Sequence, residues 1–266
     1  MRHWKRKAYI TGTTVVIIRT PAEIVMAADS AVQETGEDGT SDVGVTCKIA
    51  QIGENVFFAA AGWVGDTSGA FLAPLVAIQC CSTNHRFLDA VKAFENAAKS
   101  PLSDAFEDIR QRKIGPVLDG MTALETVFAG FENGVLKYSV SHFSVKLDNA
   151  GFISITAERA TNCPSAHAPN ENLSAIGKNT HIRSYLASHR REINLPTADK
   201  AELVRRLIQL EIDNDPNGYV REPIVILRLT QKGPEWVRNE GVCRDFITKS
   251  RRNSKPQKKR PKPRRR

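Results

Sequence analysis

The sequence predicts an α+β fold in which two stacked antiparallel sheets are faced by helices. Two observations carry this. Strand-like and helix-like stretches come in blocks, in the order strands, helices, strands, helices, strands. Neighbouring strand runs are joined by hairpin turns, whereas a parallel sheet would need alternating βαβ units.

The elements follow in order. TTVVII (13–18) and IVMAA (24–28) flank a turn containing Pro21 and read as a hairpin. Residues 34–44 hold three glycines and four acids and are expected to form a loop. CKIAQI (47–52) and NVFFAAAG (55–62) supply two further strands. The period then changes: Phe87, Val91, Phe94 and Ala98 share one helical face, so Asp66 to Arg112 is expected to be mainly helical. Pro101 should interrupt that stretch, and Gly115-Pro116 should end it. Strands return at 124–131 and 135–143 around an Asn133-Gly134 turn, then at 151–158 and 173–177. Helices are expected near 180–190 and 198–214, the second capped by Thr197. PIVILRLT (223–230), a Gly233-Pro234 turn and EWVRN (235–239) close the body.

Composition is globular: 266 residues, 41% hydrophobic and 25% charged, which excludes a disordered or collagen-like chain. No run approaches the roughly 18 apolar residues of a spanning helix, and the basic start lacks a signal-peptide core. A soluble cytoplasmic protein without a membrane partner is expected. The net charge of +9 is terminal in origin: residues 249–266 carry eleven Lys or Arg and no acid, and residues 1–12 carry four more. Residues 13–248 hold 23 bases against 29 acids, so the body is mildly acidic. The tail, with nothing apolar to bury, is expected to be disordered and able to contact a polyanion. In a eukaryote it would also read as a nuclear localisation signal. Five cysteines (Cys47, Cys80, Cys81, Cys163, Cys243) form an odd set without a repeated CxxC and read as reduced thiols. Cys163 with His167 lacks a second pair at ligand spacing, so neither a metal nor a cofactor is expected.

Most catalytic signatures are absent. Gly177-Lys178-Asn179-Thr180 lies between a strand and a helix as a phosphate loop would, but Asn172 stands where such a loop needs Gly and Asn179 where it needs Ser or Thr. The remaining constellation is Gly12-Thr13-Thr14 opening a strand, Asp29 ending its hairpin partner, Lys48 opening a third strand and Gly62 ending a fourth. GTTVVIIRTPAEIVMAADS (12–30), CKIAQI and FFAAAG (57–62) resemble the opening of a proteasome β-subunit, an N-terminal nucleophile (Ntn) hydrolase. The Thr13 to Asp29 and Lys48 to Gly62 spacings fit that family, and the intervening acidic loop is slightly longer.

The resemblance implies a four-layer αββα sandwich over residues 13–248 behind a propeptide, residues 1–12. It implies self-cleavage between Gly12 and Thr13, because a Thr hydroxyl gains a base from its own α-amine once Thr13 is the first residue. Thr13 would be the nucleophile, Lys48 the ammonium that favours its alkoxide-like state, Asp29 the holder of Lys48, and the Gly62 N–H the oxyanion donor. A peptide or amide substrate is implied, with Val32, Gln33, Thr46, Ala60 and Val64 around its first side chain, and a homo-oligomer in which a ring is possible. Two departures stand out: Lys178 replaces a supporting Ser, and Asn217 to Glu222 replaces an Asp and a Ser ahead of a Gly-Gly pair, leaving Asp213 or Asp215 to supply the acid. Two competing readings are an inactive relative serving as an assembly subunit and a polyanion binder acting through its tail.

Overall fold

The structure, a computed structural model, describes residues 8–12, 14–36, 41–66, 71–84, 86–113, 116–160, 172–189 and 199–244. Thr13, the whole of the expected tail (249–266), Cys163, His167, Gly115 and Thr197 lie outside the described residues.

Two antiparallel sheets form the middle of the fold. The larger contains β1 (Ala8–Gly12), β4 (Ala31–Gly36), β5 (Ser41–Val45), β6 (Ile49–Gly53), β7 (Val56–Asp66), β8 (Thr122–Glu132), β9 (Val135–Leu147) and β10 (Ile153–Ala160). Its order is β10-β9-β8-β7-β1-β4-β5, with β6 also beside β7. The smaller sheet runs β11-β2-β3-β12-β13, from β2 (Thr14–Arg19), β3 (Glu23–Ala28), β11 (Asn172–Gly177), β12 (Val225–Thr230) and β13 (Gly233–Arg238).

Three apolar clusters hold the layers together. Helices α1 (Ala73–Thr83) and α2 (Phe87–Gln111) cover the outer face of the larger sheet, where Phe58, Phe94, Phe128 and Phe143 meet edge-on or tilted at centroid distances of 5.0 to 6.0 Å. Between the sheets, Val15, Ile17, Ile24 and Met26 pack on Phe57, Ala59, Val127 and Tyr138. On the outer face of the smaller sheet, Val16, Ile18, Val25 and Ala27 meet Ile182 of α3 (Thr180–Ser188) and Val204, Leu207 and Ile208 of α4 (Lys200–Asp213). The hairpin β2–β3 is thus covered on both faces, which is why its apolar runs are continuous and do not alternate.

The β7 strand organises the site. One edge pairs with β8 along Val56–Gly62. Its other edge is shared: β6 takes Val56–Ala59 and β1 takes Gly62–Asp66, with Ile49 opposite Ala59 and Gly12 opposite Gly62. The end of β1 and the start of β6 therefore flank Ala60 and Ala61 on that edge of β7.

Several expectations need correction. Residues 34–44 are no simple loop: β4 and β5 pair from Ala31↔Val45 to Thr35↔Ser41, and β1 gives β4 a second partner, so backbone pairing at the sheet edge overrides the Gly- and acid-rich composition. Residues 8–12, to which the sequence reading gave no element, are a strand. Helix begins at Ala73, seven residues after Asp66, because β7 continues to Asp66. Pro101 lies inside α2, where burial of Ala98, Leu102, Ala105 and Phe106 offsets the lost hydrogen bond, a cost of about 3 kcal/mol. Helix α4 is capped by Asp199, whose carboxylate accepts from Ala201 N at 3.0 Å. Strand β13 begins at Gly233, with Pro234 tolerated on an edge strand.

The cysteine reading is also corrected. Cys47 and Cys243 form a disulfide across 196 residues of sequence, brought together when the segment after β13 returns beneath β6. Spacing along the chain carries no sign of such long-range pairing. Cys80 and Cys81 are free, with burial raising both thiol pKa values. No described helix is long and apolar enough to cross a membrane. Because closing so long a loop restricts the unfolded chain, Cys243→Ser should lower unfolding free energy by about 2–5 kcal/mol, read from urea unfolding under non-reducing conditions. Added reductant should erase the difference from wild type.

Candidate active site

The open end of the β2–β3 hairpin sets the centre of the site. Asp29 N–H donates to the Thr14 carbonyl at 3.3 Å, and Thr14 N–H donates back to Asp29 Oδ1 at 2.9 Å. Lys48 Nζ reaches the same Oδ1 at 2.6 Å. The other oxygen accepts from Ala31 N at 3.0 Å and Arg221 N at 3.5 Å. Both side chains are withdrawn from water, at 4% exposure for Lys48 and none for Asp29. Burial lowers the Lys48 pKa from the ordinary lysine value, and the charge and hydrogen bond of Asp29 oppose that shift. An ammonium held in this balance can favour negative charge on a neighbouring oxygen.

Gly62 forms the opposite boundary. Its φ of +85° needs glycine, and a Cβ there would stand 2.9 Å from the Ala123 carbonyl oxygen. Thr13 lies outside the described residues, but both of its covalent neighbours are described. Gly12 is the register partner of Gly62, and Thr14 is bonded to Asp29. Gly12 is thus held opposite Gly62, while Thr14 is held by the carboxylate that also binds Lys48.

A second ion pair stands on the other side of β2. Strand β11 pairs with β2 up to Gly177↔Thr14, and the Lys178 carbonyl accepts from Thr14 Oγ1 at 2.7 Å. Lys178 Nζ bonds Asp215 Oδ1 at 2.6 Å and lies 5.8 Å from the Tyr219 ring centroid. Asp215 is fully buried and also accepts from Val220 N at 2.6 Å and Asn217 N at 3.2 Å. Burial pushes its carboxyl pKa up, but Lys178 and these two amides together outweigh burial and hold it below the ordinary aspartate value. Of the two candidate acids, the structure brings Asp215 to the site. Asp213 is exposed and accepts from Gln209 on its own helix. The Gly177-Lys178-Asn179 stretch is a strand-to-helix turn, with Asn179 Nδ2 donating to Ala175 O at 2.8 Å.

A cleft of about 420 Å³ opens beside Lys48. Of the residues the resemblance placed around a first side chain, Val32, Thr46, Ala60 and Val64 line it, whereas Gln33 does not. Side chains alternate along a strand, so the residue after Val32 turns away and Glu34 lines the cleft instead. Reading residues 34–44 as a loop hid that alternation. Two further contributors left no such signal: Glu125 accepts from Gly177 N at 2.6 Å and bonds His142 at 2.8 Å, and Cys47 ties the cleft wall to Cys243. Among the described residues, no cluster of three or more His, Cys, Asp or Glu could hold a metal.

No protein-family model matches the chain, and no curated protein matches it.

Gly62→Ala tests the backbone side of the site. The substitution should destabilise the protein by about 1–3 kcal/mol in urea unfolding, through the positive φ and the clash with the Ala123 carbonyl. Gly120→Ala, with an equally positive φ but no neighbour within 4 Å, should cost less.

Proposed function

We propose that this protein is a self-processing threonine hydrolase of peptide or amide bonds, with the αββα architecture of the Ntn hydrolases. The observation that carries the reading is the convergence at Asp29. One buried carboxylate oxygen binds both Lys48 Nζ and the amide of the residue following Thr13, next to the Gly12↔Gly62 pair. The sequence pattern singled out these positions from elements far apart in the chain.

In the proposed maturation, Thr13 Oγ attacks the Gly12 carbonyl carbon, the Gly12–Thr13 C–N bond breaks and the acyl group passes to oxygen. Water then cleaves that ester, releasing residues 1–12 as a carboxylic acid and leaving a free α-amine on Thr13. During turnover the amine takes the Oγ proton as Oγ attacks the substrate carbonyl and returns it to the leaving amine, and a second water cleaves the acyl-enzyme. Lys48 stabilises charge on Oγ, Asp29 positions Lys48, and Gly62 N–H donates to the oxyanion. No cofactor enters these steps. The pairing of β1 between β4 and β7 supports an extended substrate: once the leader is gone, the two strand edges it occupied become available to a peptide backbone. The mainly apolar cleft suits an apolar side chain, with Glu34 at its margin.

A homo-oligomer, with a ring as one arrangement, and a cytoplasmic location complete the reading. The Cys47–Cys243 bond, however, is the kind an oxidising compartment maintains, so thiol trapping in freshly lysed cells tests the location. Polyanion contact through residues 249–266 is an addition to this activity and is tested by deleting them.

The activity is tested with fluorogenic peptidyl amides carrying apolar residues before the scissile bond. The wild-type protein should hydrolyse them, and Thr13→Ala and Lys48→Ala should each reduce turnover by about 10²- to 10⁴-fold. Equal activity in wild type and Thr13→Ala would overturn the assignment. A folded wild-type protein that reacts with neither substrates nor an electrophile selective for N-terminal threonine would favour the inactive assembly subunit.

A further inference from the structure

The connection between β5 and β6, Thr46 to Lys48, belongs to no strand, yet it carries Lys48 to Asp29 and supplies Thr46 and Cys47 to the cleft wall. Val45, Thr46 and Cys47 also border a second groove of about 480 Å³, together with Ile78 of α1 and Trp236 of β13. One short piece of chain is thus shared by two grooves.

A stretch without strand pairing is as fixed as its separate ties. Thr46 N–H donates to the Ser30 carbonyl at 2.8 Å, and Lys48 bonds Asp29, so two ties lead to the segment between β3 and β4. The disulfide instead anchors Cys47 to a turn after β13. Asn239 builds that turn: its Oδ1 accepts from Cys243 N–H at 2.6 Å, and its Nδ2 donates to the Cys243 carbonyl at 2.9 Å. Cys47 is half-buried and borders both grooves, whereas Cys243 is buried, so an incoming thiolate meets the Cys47 side of the bond. Cys80 and Cys81 are poor internal attackers, because burial raises both thiol pKa values.

We propose that Cys47–Cys243 is a reversible redox switch, opened by a dithiol reductant, that releases the 46–48 connection and lets the wall of the cleft move. One thiolate of the reductant attacks the Cys47 sulfur, the bond to Cys243 breaks, and Cys243 leaves as a thiolate that takes a proton. The second thiolate of the reductant then displaces Cys47 from the mixed disulfide. The cysteine pair gains two electrons and two protons, and the dithiol becomes a disulfide. The reduced connection keeps its ties to Ser30 and Asp29 but loses its anchor beyond β13. The effect on turnover rests on the hydrolase reading, whereas the effect on the connection does not.

The test places full-length wild type, without denaturant, in dithiothreitol buffers of graded oxidised-to-reduced ratio. Alkylation of trapped thiols with peptide mass mapping reads the state of the pair, and hydrogen exchange reads the backbone. Amides of residues 46–52 should exchange about tenfold faster once the pair is reduced, whereas those of β8 and β9 should not change. Reoxidation should restore the slow rates, and Cys243→Ser should show the fast ones in every buffer. A pair that dithiothreitol opens only after urea unfolds the chain would overturn the switch. So would reduction that leaves 46–52 unchanged, or that speeds β8 and β9 equally.

On a fluorogenic peptidyl amide, reduction should raise KM about threefold with a smaller change in kcat, because the cleft wall moves while Asp29 still holds Lys48. A KM independent of the state of the pair would overturn the control of substrate binding. Absent hydrolysis in both states, with the exchange response intact, would contradict the hydrolase reading while upholding the switch. Absent hydrolysis without that response would remove both.

Discussion

Removing a carboxylate from water costs several kcal/mol unless partners replace the lost hydration, and the partners of the wholly buried Asp29 include four donors from separate segments. Lys48 and Thr14 meet on one oxygen; Ala31 and Arg221 meet on the other. These donors come from β2, from the segment ahead of β6, from the start of β4 and from the segment before β12. The carboxylate thus fixes the relation between both sheets as well as the direction of Lys48. Replacing it would leave a buried ammonium to find another partner, so stability and site geometry are coupled at this point.

The leader makes a related use of the sheet. β1 fills the place between β4 and β7, and its last residue faces Gly62. In the proposed precursor, the backbone groups that would later hold substrate are satisfied by the chain's own first residues, which avoids an open edge in the larger sheet. The same pairing holds Gly12 opposite Gly62. Folding and the proposed bond cleavage therefore draw on the same contacts.

Much of this was legible in the sequence. Hairpin β2–β3, the apolar stripe of α2 and the Asn-Gly turn before β9 rest on local periodicity or turn chemistry, whereas the grouping of Asp29, Lys48 and Gly62 rests on the family resemblance. The failures share a cause. β1 and β4 pair with strands distant in sequence, β5 pairs with β4 in a stretch whose composition reads as a loop, Pro101 is carried by the packing of its helix, and Cys47 is bonded to Cys243 across 196 residues. Asp215 could be separated from Asp213 only by a helix boundary: Asp213 ends α4, while Asp215 turns inward from the loop beyond it. Gln33 was placed at the cleft by resemblance, and the β4 pairing shows that alternation turns it away and brings Glu34 in.

The central claim is that Thr13 becomes a free amino terminus through its own chemistry. The intact mass of purified recombinant protein, wild type beside Thr13→Ala, tests it most directly. The account predicts that the wild type loses residues 1–12 while Thr13→Ala keeps them. Retention of the leader in both proteins, or its loss from both, would contradict self-cleavage at Gly12–Thr13.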